Sequence, residues 1–198
     1  MVRARALLML FLFCSPWAVQ AEPSLHWSVG FHRLTFLDPL DERPMHAIAF
    51  YPSTGKEGRS RIGTYQIDAT QNARIATGRY PLLMLSHGNT GTPLALHDVA
   101  TALARKGFVV VAVLHPGDNY KDHSRLGTLS NLYGRPMQIS AAIDATLRDR
   151  RLSRYAVPDE VGVIGYSAGG ETALILGGAQ PDLERLRRYC QERPEDRD

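Results

Sequence analysis

Apolar residues in this chain follow two spacings, one of strands and one of helices. Residues 25–37 alternate loosely through Trp27, Val29, Phe31, Leu34 and Phe36, and 45–51 (MHAIAFY) repeat the pattern after a turn at 38–44; each predicts a strand. Residues 80–86 (YPLLMLS) and 108–114 (FVVVAVL) are short continuous apolar runs, as in strands buried on both faces. A further strand is predicted at 159–165, carried by the apolar run at 161–164. Between the strands, 93–106 places Leu94, Leu96, Val99 and Leu103 at helical spacing before Gly107, and 136–152 places Ile139, Ala142, Ile143 and Leu147 on one face. Residues 168–178 are small and helix-compatible. The polar stretches 52–78, with a short strand signal at 65–67, and 116–132 read as surface loops, while the charged segment 185–198 receives no assignment. Two antiparallel strands followed by strand–helix alternation define the α/β class, a mostly parallel sheet with helices on both faces.

The first 21 residues stand apart from this pattern. Arg3 and Arg5 precede an apolar core at 6–13, and 19–21 (VQA) suit a cleavage site. The core is too short for the roughly 20 residues a bilayer span needs, so residues 1–21 read as a secretory signal peptide. The expectation is an exported protein, periplasmic or secreted, with residues 22–198 forming one domain. Two of the charges behind the formal +3 lie in that leader, and the arginines at 148–154 and 185–188 are mixed with acids as on solvated helix faces, which argues against a nucleic-acid partner. Cys14 belongs to the leader and leaves Cys190 alone. The seven histidines are scattered, with no H-e-x-x-h or C-x-x-C spacing, so no metal or other cofactor is expected.

The chemistry concentrates in two loops. Gly165-Tyr166-Ser167-Ala168-Gly169 reads G-x-S-x-G between a predicted strand and a predicted helix, the setting of a nucleophile elbow that pushes a serine hydroxyl out above a sheet. Ser86-His87-Gly88-Asn89-Thr90-Gly91 carries H-G-x-x-G after the third strand. Gly88 permits a tight turn, so the N–H of Asn89 can face a developing oxyanion, with the N–H of Ala168 as the second donor. Both loops fall at the carboxyl edge of the sheet, where open α/β sheets bind ligands. His87 reads as a residue that pins its loop rather than as a base, and His115, at the end of the fourth strand, is a second candidate to line the substrate pocket.

Residues 80–91 (YPLLMLSHGNTG), 107–117 (GFVVVAVLHPG) and 161–170 (VGVIGYSAGG) resemble the bacterial α/β-hydrolases related to dienelactone hydrolase and platelet-activating-factor acetylhydrolase. The resemblance implies an α/β-hydrolase fold and a metal-independent serine ester hydrolase acting through an acyl-enzyme on a small or lipid-like ester, with Ser167 as nucleophile and Asn89 and Ala168 as oxyanion donors. The chain departs from the family in lacking a histidine after Ser167 and an acid after a later strand. The expectation is therefore the N-terminal part of such a hydrolase domain, without its C-terminal strands. The alternatives are a catalytically inactive binding protein on the same fold, or Ser167 working with an upstream histidine.

Overall fold

Alternation of side chains across extended backbone builds the first two strands, β1 (Ser28–Leu37) and β2 (Pro44–Ser53), which pair antiparallel with Phe31 opposite Phe50. The computed structural model describes residues 26–195, so the leader at 1–21 lies outside the described residues. Three short strands follow, β3 (Ser60–Ile62), β4 (Tyr65–Ile67) and β5 (Thr70–Gln71). The apolar runs become β6 (Tyr80–Ser86) and, after helix α1 (His97–Arg105), β7 (Val109–Leu114). Helix α2 (Leu129–Arg148) leads to β8 (Ala156–Gly165), then α3 (Ala168–Leu176) and α4 (Leu183–Glu192).

Six strands form one sheet in the order β5-β1-β2-β7-β6-β8. The three strands β7, β6 and β8 run parallel, and the chain leaves β6 to one side through α1 and returns to its other side through α2. β6 is thus the switch point of the topology, and the crevice beyond its carboxyl end is the expected ligand site. The period-two alternation divides the core. Ala47, Ala49 and Tyr51 of β2 join Val109, Val111 and Val113 of β7 under Ile139 and Ala142 of α2. Ile48, Phe50, Val110 and Ala112 point the other way, under Ala100 and Ala104 of α1.

Several boundaries differ from the sequence pattern, each for a local reason. Residues 93–96 form turns, closed by Ala95 N–H to Thr92 O at 3.0 Å, so α1 starts only at His97. Its buried face is Ala100, Thr101 and Ala104, small residues that let the helix lie close to the sheet, whereas Val99 is exposed. Helix α2 starts seven residues before the expected Pro136, because the Thr128 hydroxyl caps it by accepting the Asn131 N–H at 3.1 Å. Pro136 lies inside the helix, where its ring removes one backbone hydrogen bond. β8 starts at Ala156 and slips register against β6 between Pro81 and Leu82, so residues 158–160, beginning with a proline that has no N–H to donate, bulge from the ladder. The charged C-terminal stretch forms α4, capped by Asp182 accepting the Arg185 N–H at 2.9 Å.

Candidate active site

The elbow forms as its glycines dictate. Ser167 has φ 52° and ψ −123°, a conformation that costs an ordinary L-residue about 1–3 kcal/mol and persists only where the surroundings impose it. A side chain at Gly165 would collide with the backbone of Gly169, and one at Gly169 with the Ser86 carbonyl. That close approach lets the Tyr166 N–H bond Ser86 O at 3.1 Å, fastening the turn to the end of β6. The Ser167 hydroxyl is exposed at the N-terminal, electropositive end of α3.

The loop at 87–91 lies against it. A Cβ on Gly88 would stand 3.2 Å from Ser167 Cβ, so a side chain there would crowd the serine and press the loop away. Thr90 takes φ 55°, and Gly91 N–H bonds Gly88 O at 3.1 Å. Among the described residues no group takes up the N–H of Asn89 or of Ala168.

A buried ion pair clamps this loop on both sides of Asn89. Asp118 accepts the Thr90 N–H at 2.8 Å through Oδ1, and its Oδ2 accepts from Arg135 at 2.9 Å and from the Asn131 amide at 2.8 Å. Arg135 in turn donates to the His87 carbonyl. Burial pulls the Arg135 pKa down, and Asp118 opposes that shift by favouring the cation.

The structure corrects the placement of His87 and His115. Both are buried beneath the loop and neither lines the cleft beside Ser167. His87 Nε2 accepts the His115 N–H at 3.3 Å, which leaves Nδ1–H to donate to Gly88 O at 2.7 Å. His115 Nε2 accepts the Ser86 hydroxyl at 2.9 Å, and its Nδ1–H donates to Gln138 Oε1 at 2.8 Å. The Gln138 amide donates to Asp38, which also holds Arg125 at 2.8 Å. Burial keeps both rings neutral, lowering His87 to about 4 and His115 well below its ordinary value. Each ring nitrogen already has a partner, so neither histidine is free to take a proton from Ser167. Among the described residues no side chain hydrogen-bonds the Ser167 hydroxyl.

Sequence reasoning missed Asn131, Arg135 and Gln138. Their spacing along α2 puts three polar side chains on its buried face, a signal hidden once Pro136 is read as the helix start. Beside the two free N–H groups opens a cleft of about 280 Å³, lined by Asn89 and Ala168 together with Leu129, Leu132, Leu183 and Leu186. Among the described residues no cluster of histidine, cysteine or carboxylate side chains could hold a metal ion, and Cys190 is an exposed free thiol. No helix among them is long and apolar enough to cross a membrane.

This sheet order, with a strained serine after β8 and a glycine loop after β6, defines the α/β-hydrolase fold. Within that fold the chain is similar to platelet-activating factor acetylhydrolase over part of its length and to esterases. The family model of platelet-activating factor acetylhydrolase, isoform II, matches residues 52–130. Cutinase est1 of Thermobifida alba is 30% identical over 138 residues, which cover 67% of this chain and 42% of the cutinase. A ferulic acid esterase from Streptomyces cinnamoneus superposes with a TM-score of 0.65 at 20% identity, over 81% of this chain and 58% of that one. A dienelactone hydrolase-like promiscuous phosphotriesterase from metagenomic libraries superposes with a TM-score of 0.51 at 17% identity, over 75% and 54%. The chain thus spans about half the length of these relatives.

Proposed function

We propose that Ser167 is the nucleophile of a carboxylic ester hydrolase working through an acyl-enzyme. The observation that carries this reading is the strained Ser167 itself, its hydroxyl exposed beside two N–H groups that nothing else engages. Ser167 Oγ attacks the ester carbonyl carbon and gives its proton to a base. The carbonyl oxygen takes up the electron pair and is held by the N–H groups of Asn89 and Ala168, donors typically worth about 10²–10³ each in turnover. Collapse breaks the bond to the alkoxy oxygen, which leaves with the proton, and water then releases the acid from Ser167. The described residues do not place the base. The esterases among the similar proteins support an ester of small-molecule size, and the cleft lined by Leu129, Leu132, Leu183 and Leu186 suits its apolar part.

A second reading, a binding protein on the same fold that turns nothing over, draws on the absence of a base beside Ser167 among the described residues. The first reading accounts better for a serine held at a cost in backbone strain. Export is part of the proposal, supported by the charged start and short apolar core of residues 1–21. Mass spectrometry of exported protein is expected to find an N-terminus near Glu22, and an intact Met1 there would contradict it.

The test is labelling with a fluorophosphonate in the presence of imidazole as a soluble base. The expected result is one adduct on the peptide containing Ser167, abolished by Ser167→Ala. No adduct, or one that survives the substitution, would overturn the assignment. Without imidazole, the 198-residue chain is expected to cleave p-nitrophenyl acetate no faster than Ser167→Ala, because general-base help is worth about 10²–10⁴.

A further inference from the structure

The sheet face that α1 covers stays apolar only as far as α1 reaches. Phe31, Phe50, Val110 and Ala112 lie in the core beneath it. Toward the carboxyl end of β7 the register sets Arg33 opposite Ile48, Thr35 opposite His46, and His46 opposite Leu114, so all of these share that face. Because α1 begins late, at His97, Arg33, Thr35 and His46 are left exposed and Leu114 half-buried, with Ile48 at the edge of the covered core. The turn at 92–94 stands beside them as one wall, and Ile62, Tyr120 and Lys121 supply others.

The result is a cavity of about 490 Å³, which falls within the range of about 300–1,000 Å³ usual for small-molecule sites. It shares no lining residue with the cleft beside Ser167. Its charge is one-sided. Arg33, His46 and Lys121 line it, and among the described residues no carboxylate does. Neither Arg33 nor Lys121 has an acidic partner among them; the Lys121 ammonium stands 5.3 Å from the Tyr120 ring centroid. His46 Nδ1 faces the Thr35 hydroxyl at 3.2 Å. Ile48, Leu94 and Leu114 give the cavity an apolar floor.

We propose that this cavity binds a free organic monocarboxylate with an apolar body. The carboxylate lies with Arg33 and Lys121, and the body lies against Ile48, Leu94 and Leu114. Cations over an apolar floor without a neutralising acid match that ligand on both counts. The guanidinium can take both carboxylate oxygens at once, which an alcohol of equal length cannot exploit. The wall also touches the catalytic loop, since the Tyr120 N–H bonds Gly91 O at 3.0 Å. The proposal does not depend on the role of Ser167.

The test is calorimetric titration of the 198-residue protein and of its Ser167→Ala variant with sodium decanoate below its micelle concentration, and with 1-decanol for comparison. Both proteins are expected to bind decanoate at one site, and decanol about tenfold less tightly. Arg33→Glu/Lys121→Glu, at exposed positions, should weaken decanoate at least about tenfold, roughly 1.4 kcal/mol, with the unfolding midpoint unchanged. Arg185→Glu/Arg188→Glu on α4 should leave binding as it was. Absence of binding, equal affinity for decanol, indifference to the Arg33/Lys121 changes, or equal loss in the α4 variant would each overturn the proposal.

Discussion

The two halves of the site meet within contact of each other and are held by different means. The loop at 87–91 rests on buried polar groups: Asp118 and Arg135 clamp it, and His87, His115, Gln138 and Asp38 continue the chain of hydrogen bonds beneath it. The elbow rests on β8, the strand at the edge of the sheet among the described residues. Val161, Ile164, Tyr166 and Leu174 around it are exposed. The loop is fixed by side chains, through hydrogen bonds of Asp118 and Arg135 to its backbone. The elbow is fixed by backbone, through glycines pressed against Ser86 and Gly169. The difference teaches where substitutions will matter: on the loop side a single side chain carries several contacts, and on the elbow side the outer side chains carry few.

The largest expected effect follows from breaking the clamp. Arg135→Met leaves the buried Asp118 carboxylate without its counter-ion, and removing one partner of such a pair costs about 3–5 kcal/mol. Urea unfolding should show the loss; a change below about 1 kcal/mol would mean that the loop does not depend on the pair.

An intermediate effect is expected from acid. His87 has a pKa of about 4 in the folded protein and regains about 6.5 on unfolding, and His115 shifts in the same direction. The unfolded chain therefore binds more protons between these values. The stability tied to neutral rings is complete above about pH 6.5 and declines as pH falls through about 4, by about 3 kcal/mol for His87 alone. Unfolding midpoints measured at pH 7.5 and pH 5 should fall with acid, and His87→Asn should lessen the fall. A midpoint unchanged over that interval would contradict the network.

The smallest effect belongs to the elbow side. Leu174 is 68% exposed, and Leu174→Lys should change stability by no more than about 0.5 kcal/mol. A loss as large as that of Arg135→Met would erase the contrast between the two regions.

The same contrast explains what could be read from the sequence. β6 and β7 are visible because strands buried on both faces must be apolar throughout, and the elbow because its glycines are required by backbone approach. Ser167, Gly88 and their neighbours announce themselves within a few residues. The clamp does not. Asp118, Arg135 and Gln138 come from separate elements and are joined only by tertiary contacts, and Pro136 disguises the first two turns of the helix that carries Arg135. His87 and His115 are easy to find and easy to misplace, since a histidine at a strand end looks the same in sequence whether it faces the cleft or the core. Apolar residues that continue into the turn at 93–96 make α1 look longer in the sequence than it is, and the shorter helix leaves Arg33 and His46 exposed.

The central claim is that Asn89 and Ala168 donate to an oxyanion formed at Ser167. Amide resonances of the protein phosphonylated at Ser167, which places a strongly polarised phosphoryl oxygen where the tetrahedral intermediate has its oxyanion, test it most directly. The N–H signals of Asn89 and Ala168 should both move downfield and become slower to exchange, with no such change in Ser167→Ala treated in the same way. Resonances of these two amides that stay in place, while other amides respond to the phosphonyl group, would contradict the account.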